Sequence, residues 1–228
     1  MAGIQYPKLF ICPLDFIFLT VYNIIMSVLL DKDIREIFTT HHAKRYPKSN
    51  LLSEVRINNG LAIADLVSFG IKTSHCYEIK SDKDKIARAL EQSKSYDIVF
   101  NKISLITTAT QYKKALEIIP HYWGIIVVSN TPRIKVCYIR KASDSPLFSK
   151  QKALFTLWRD ELLNILLMKN IIEKPKKKSS RSELINILCT ELSTTEICRS
   201  MNSYLVDREH NYQEKNWFRS NALKSRLS

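Results

Sequence analysis

Glycine is scarce. The 228-residue chain holds four, and neither GxGxxG nor GxxxxGK[ST] occurs, which excludes the glycine-rich loops that cradle nucleotide phosphates. Five cysteines are present (Cys12, Cys76, Cys137, Cys189 and Cys198), an odd number, widely spaced and without a CxxC pair. That spacing argues against a zinc site or a disulfide framework, and for reduced thiols in a cytoplasmic protein. No GxSxG supports a nucleophilic serine, no internal repeat is evident, and no A-x-A-like cleavage site follows the apolar stretch near the start. Acidic residues are the minority charge: 22 Asp and Glu stand against 35 Lys and Arg, a formal net charge of +13. Such an excess favours a polyanionic partner, with nucleic acid first and an anionic membrane surface second.

What is present falls into three segments. Residues 1–30 form an apolar N-terminal extension. The run LFICPLDFIFLTVYNIIMSVLL at 9–30 is about as long as a membrane span but is interrupted by Pro13, Asp15 and Asn23. It reads as a membrane anchor, as a helix packed on the domain, or as an extension outside the working core, since Met26 opens a second plausible start. Residues 31–145 read as one core. An amphipathic helix over 31–44 begins at Asp31, which can cap it. Two strand-like runs flank the turn Asn58-Asn59-Gly60, and a third strand holds CYEIKS. A helix is expected over roughly 83–100, started by Asp82 or Asp84, then the strand KISLITTAT and the short helix QYKKALEII, ended by Pro120. WGIIVVS and RIKVCYIRK are two more strands around Asn130-Thr131-Pro132. The order α-β-β-β-α-β-α-β-β gives a mixed α/β sheet flanked by helices. Residues 146–228 read as a helical C-terminal region: one amphipathic helix QKALFTLWRDELLNILLMKN, a basic linker near 173–181, and two helices capped at Ser182 and at Ser193 or Thr194. These two are weighed as a helix-turn-helix pair or as a helical cap on the core.

The segment ADLVSFGIKTSHCYEIK reads as a hairpin with Ile71 and Lys72 in its loop. That register pairs Phe69 with Ser74 and Leu66 with Tyr77, and puts Asp65 opposite Glu78. Lys80 shares the face of Glu78 because strand side chains alternate, while Ile79 turns to the core. Two opposed carboxylates repel unless a cation lies between them. Lys80 can be that cation, in a structural cluster. A divalent metal is the other candidate, because carboxylate oxygens are what Mg²⁺ prefers.

Asp65, twelve intervening residues and then Glu78-Ile79-Lys80 resemble the D…ExK core of the restriction-endonuclease-like superfamily, the PD-(D/E)xK nucleases. Gln92 and Tyr96 resemble the QxxxY pair of one branch, and share a helix face. YEIKSD, HYWGIIVV and LWRDE are similar to stretches of an uncharacterised bacterial family of nuclease-like proteins. The position before Asp65 is Ala64, where the superfamily's name has Pro. The resemblance covers residues 31–140 and implies a restriction-endonuclease-like fold with Mg²⁺-dependent hydrolysis of phosphodiester bonds, DNA being the expected substrate and Mn²⁺ an alternative ion. It places Asp65, Glu78 and Lys80 in catalysis. The metal would be held by Asp65, Glu78, the carbonyl of Ile79 and a supporting Glu54, and the substrate strand positioned by Gln92 and Tyr96. Two alternatives stand beside it: a catalytically inactive nucleic-acid-binding or interaction protein that keeps the fold, and a membrane-anchored protein organised by residues 9–30.

Other residues draw plainer readings. His41 and His42 read as exposed or incidental to helix packing, and His75 as a surface cross-strand residue. Tyr122 and Trp123 read as packing, Trp158 as a core anchor for the C-terminal helix with Arg159 and Asp160 exposed or paired, and the basic run at 174–178 as a solvated linker.

Overall fold

The computed structural model describes residues 28–70, 72–130, 133–172 and 179–224. Most of the apolar run at 9–30, Cys12, Ile71 of the hairpin loop, Thr131-Pro132 and the basic run at 174–178 lie outside the described residues. No helix among the described residues is long and apolar enough to cross a membrane.

Helix α1 (Asp31–Arg45) precedes strand β1 (Asn50–Ile57), a 3-10 turn (Asn58–Gly60) and strand β2 (Ala62–Phe69). Then come β3 (Ser74–Ile79), α2 (Ile86–Tyr96), β4 (Lys102–Thr108), α3 (Tyr112–Ile118), β5 (Gly124–Ser129) and β6 (Lys135–Arg140). Four helices follow among the described residues: α4 (Lys150–Leu154), α5 (Arg159–Met168), α6 (Arg181–Glu191) and α7 (Thr194–Lys224). The six strands lie side by side in chain order. The β1–β2–β3 meander is antiparallel, β3–β4 and β4–β5 are parallel, and β6 returns antiparallel. The parallel pairs need crossovers, which α2 and α3 supply.

Side-chain alternation divides the core between the two sheet faces. On one face Leu66, Tyr77, Ile79, Ile106, Ile126 and Val128 pack against Leu29, Ile34 and Phe38 of the α1 segment. On the other, Val67, Phe69, Cys76, Ile103, Leu105 and Ile125 pack with Ile86, Ala89 and Tyr96 of α2. The C-terminal helices add Leu154, Leu162, Leu166, Leu184, Ile185, Leu188, Ile197 and Met201 to that same cluster. The result is a mixed α/β sheet flanked by helices, as expected. Its helical C-terminal region extends the core of the sheet, which suits a cap and not a detached appendage. Gly124 is required by close approach: a Cβ there would collide with the Ser104 hydroxyl and lie 3.0 Å from the backbone nitrogen of Ala142.

Several local expectations need correction. Asp31 is the first residue of α1 rather than its cap; the Leu30 N–H donates to Asp33 Oδ2 at 3.0 Å instead. Helix α2 is shorter than 83–100, because Asp84 accepts from the Ser81 N–H and hydroxyl (2.9 and 2.6 Å) in a turn before the helix starts. At its other end Asp97 leaves the helix to accept from Trp123 Nε1 (2.7 Å) and the Tyr122 hydroxyl (2.9 Å). The single helix expected after residue 150 is two. Ser149 caps α4, and Glu161 reaches back to the Trp158 N–H at 2.6 Å to open α5. Ser180, not Ser182, caps α6, and Ser193 rather than Thr194 accepts from the Glu196 N–H that opens α7. Trp158 is 63% exposed, so it is no core anchor. It carries the Arg208 guanidinium 4.1 Å above its ring. His42 is buried and within hydrogen-bonding distance of Ser68 Oγ, at 3.1 Å. His75 stacks on Tyr77 and meets Ser104 Oγ at 2.8 Å, so it belongs to a packed strand face.

Candidate functional site

The hairpin register is the expected one, with Phe69 opposite Ser74, Ser68 opposite His75 and Leu66 opposite Tyr77. The next step along it sets Asp65 against Glu78. On the other side, the β1–β2 register runs unchanged from Ser53↔Leu66 to Val55↔Ala64, so Glu54 stands across from Asp65. Three carboxylate residues thus occupy one level on three neighbouring strands. The ladder is interrupted there. Glu54 has a φ of +53°, in the left-handed region, a conformation that costs a residue with a Cβ roughly 1–2 kcal/mol. Asp65 turns its side chain to the backbone, and its Oδ2 accepts from the Ile79 N–H at 2.8 Å.

Glu78 is the buried member, 1% exposed. The Lys80 ammonium is ion-paired with Glu78 Oε1 and donates to Gln92 Oε1 at 3.0 Å. Gln92 Nε2 in turn faces the Tyr96 hydroxyl at 3.4 Å. Glu78, Lys80, Gln92 and Tyr96 therefore form one chain of polar contacts from β3 to α2. Tyr96 directs its proton to the Ile63 carbonyl at 2.9 Å, and Glu78 Oε2 has no hydrogen-bond partner among the described residues. Burial first, and then the charge of Asp65, push the Glu78 carboxyl up to about 7. Burial and the neighbouring Glu78 push the Tyr96 hydroxyl well above its usual range, so it stays protonated.

One residue of the site was missed in the sequence. Arg35 of α1 reaches across the sheet end. Its Nη1 donates to the Asp65 carbonyl at 2.8 Å. Its Nη2 lies 3.0 Å from Glu54 Oε1 and 3.5 Å from Asp65 Oδ1. Its Nε meets Asp31 Oδ1 at 3.3 Å, one helical turn back. Only that last pair, spaced i,i+4, is visible in the sequence.

The seven residues that the nuclease resemblance names therefore come together across β1, β2, the end of β3 and α2: Glu54, Asp65, Glu78, Ile79, Lys80, Gln92 and Tyr96. Ile79 gives its N–H to Asp65 and buries its side chain in the α1 cluster. No group of three or more His, Cys, Asp or Glu side chains close enough to hold a metal ion occurs among the described residues. The acid row is drawn apart instead: Glu54 and Asp65 towards Arg35, Glu78 towards Lys80. The donor set still fits a hard divalent cation. Among the described residues Glu78 Oε2 is a buried oxygen without a hydrogen-bond donor, and burial, then the charge of Asp65, raise its proton affinity although Lys80 lies beside it. One or two carboxylates with water and phosphate oxygens suffice for Mg²⁺.

Residues 31–227 match the family model described as bacteriophage P4 protein cII. No curated protein and no solved structure matches the chain. The match spans all the described elements up to the end of α7, so the chain belongs to the bacteriophage P4 protein cII family.

Proposed function

We propose that the protein is a metal-dependent nuclease that hydrolyses phosphodiester bonds, with DNA as its expected substrate and the cytoplasm as its compartment. The observation that supports this reading best is the acid row, Glu54, Asp65 and Glu78, at one level of three strands, with Lys80 ion-paired to its buried end and bonded in turn to Gln92. A structural salt-bridge cluster would not need a buried carboxylate oxygen left without a donor. Asp65 and Glu78 would hold Mg²⁺, or Mn²⁺ in its place, with Glu54 and the Ile79 carbonyl in support. The ion would supply charge neutralisation at the phosphate and at the leaving oxygen. Lys80 would orient the attacking water by donating to it, its ammonium kept in place by Glu78 and Gln92. Gln92 would orient the strand, while Tyr96, on the same face of α2 but fully buried, would act only through its contact with Gln92. The excess of 13 positive charges supports a polyanionic partner.

A second reading has an observation of its own. Glu54, Asp65 and Glu78 each already have a protein cation as partner, which suits a catalytically inactive nucleic-acid-binding protein. Incubation with linear, nicked and supercoiled DNA and with RNA, in Mg²⁺, Mn²⁺ or EDTA, separates the two. The nuclease cuts in metal alone, and Asp65→Ala, Glu78→Ala and Lys80→Ala each lower the rate by roughly 100-fold or more. Retention of nucleic acid without cleavage in any metal supports the second reading. The membrane-anchored alternative rests on residues 9–30 and gains no support from the described residues.

A further inference from the structure

We propose that Arg35 is an internal counter-cation that competes with a divalent cation for Glu54 and Asp65, so that loading the site with metal requires its guanidinium to swing away. This rests on the nuclease reading of the same site. The argument is one of shared lone pairs. A single nitrogen, Arg35 Nη2, faces Glu54 Oε1 at 3.0 Å and Asp65 Oδ1 at 3.5 Å. Those are oxygens that a metal held by the two residues would take, and a guanidinium and a metal ion cannot both occupy the space between them.

The two cations of the site differ in how easily they can leave. The Lys80–Glu78 pair is enclosed, with side chains 10% and 1% exposed. The Arg35 side chain is 23% exposed, and its partner Glu54 is 59% exposed. Its side-chain contacts at 3.3 and 3.5 Å are long for charged hydrogen bonds, and of its shorter contacts the 2.8 Å bond to the Asp65 carbonyl must also break for it to leave. Space for the displaced side chain lies next to it. A groove of about 310 Å³, lined by Lys32, Arg35, Glu36, Thr39, Thr40 and Ser53, runs beside α1. Glu36 offers the guanidinium a carboxylate on that side. In the metal-free protein Arg35 offsets the repulsion between Glu54 and Asp65. With metal present it becomes a like charge that weakens the ion's hold.

The test is a calorimetric titration of the full chain with Mn²⁺, free of nucleic acid, on wild type, Arg35→Gln, Arg35→Lys and Asp65→Asn. Removal of the charge in Arg35→Gln is expected to tighten the Mn²⁺ Kd roughly tenfold or more. Arg35→Lys, which keeps the charge but loses the fork, should tighten it by less. Adding Asp65→Asn to Arg35→Gln should abolish the gain. The proposal is overturned if wild type binds Mn²⁺ and Arg35→Gln binds it equally or more weakly. Should circular dichroism show Arg35→Gln to be unfolded, Arg35→Lys decides, and a Kd equal to or weaker than that of wild type overturns the proposal. Mn²⁺ binding in neither wild type nor Arg35→Gln overturns the nuclease reading and this inference together. The predicted Kd order without cleavage of any nucleic acid sinks the nuclease reading alone and supports the competition.

Discussion

Glu78 concentrates the physical tension of the site. It is held in the core beside Lys80 while its other oxygen has no donor among the described residues. Because its carboxyl titrates near 7 in the folded chain, against about 4.3 for an unperturbed Glu, the folded state holds the proton more tightly. The sign follows from linkage: between those two values the native state binds more protons than the unfolded one, so stability falls as pH rises through that window. The loss should total on the order of 3 kcal/mol. Glu78→Gln should flatten that part of the profile, measured as ΔG of unfolding at pH 5 and pH 8; an unchanged slope would contradict it. Asp65, Glu78 and Lys80 were legible in the sequence because strand alternation and a two-residue loop place them without reference to anything distant. Glu54 was legible as an acid on the preceding strand, but not its left-handed backbone. Arg35 was not legible, since its role comes from a tertiary contact 30 residues away.

Individual elements hold the site through a few buried polar anchors. Asn101, just before β4, accepts at Oδ1 from the Ser74 N–H (3.0 Å), from Ser74 Oγ (3.0 Å) and from Cys198 Sγ (2.9 Å) of α7. One side chain thus ties the start of β3 to β4 and to the C-terminal helices. Asn101→Ala would leave the buried Ser74 N–H without an acceptor and is expected to cost about 2–3 kcal/mol in urea unfolding. A cost under about 0.5 kcal/mol would show that the anchor is dispensable. The strands were read correctly because β-branched runs and turn residues bound them locally. Helix ends were read less well. Asp82 looks like a cap for α2, yet it accepts from the Leu29 N–H at 3.1 Å and from the Thr108 hydroxyl at 2.5 Å. The helix after Ser149 breaks at residues 155–158, although apolar periodicity continues through them; only the carboxylate of Glu161, returning to the Trp158 N–H, marks the new start.

On the scale of the whole molecule, the apparent boundary near residue 145 is a change of composition and not of core. Leu162, Leu184, Leu188 and Met201 are fully buried, in one cluster with Val67 and Ile103 of the sheet. A chain ending at residue 145 would expose that face, and it should lose cooperative thermal unfolding and bind a hydrophobic dye. A sharp transition from the truncated chain would contradict the shared core. The charge excess also acts at this scale: any affinity for DNA should fall steeply as salt is raised from 50 to 200 mM, largely independent of sequence. What joins the scales is the acid row, because the sheet, the α2 face and Arg35 all converge on it. Its most direct test is single-turnover cleavage of labelled DNA by purified wild type and Asp65→Asn, with Mg²⁺ titrated against EDTA. The account predicts cleavage by wild type that rises with Mg²⁺ and stops in EDTA, with a loss of roughly 100-fold or more in Asp65→Asn. Equal rates for the two proteins, or cleavage that persists in EDTA, would contradict it.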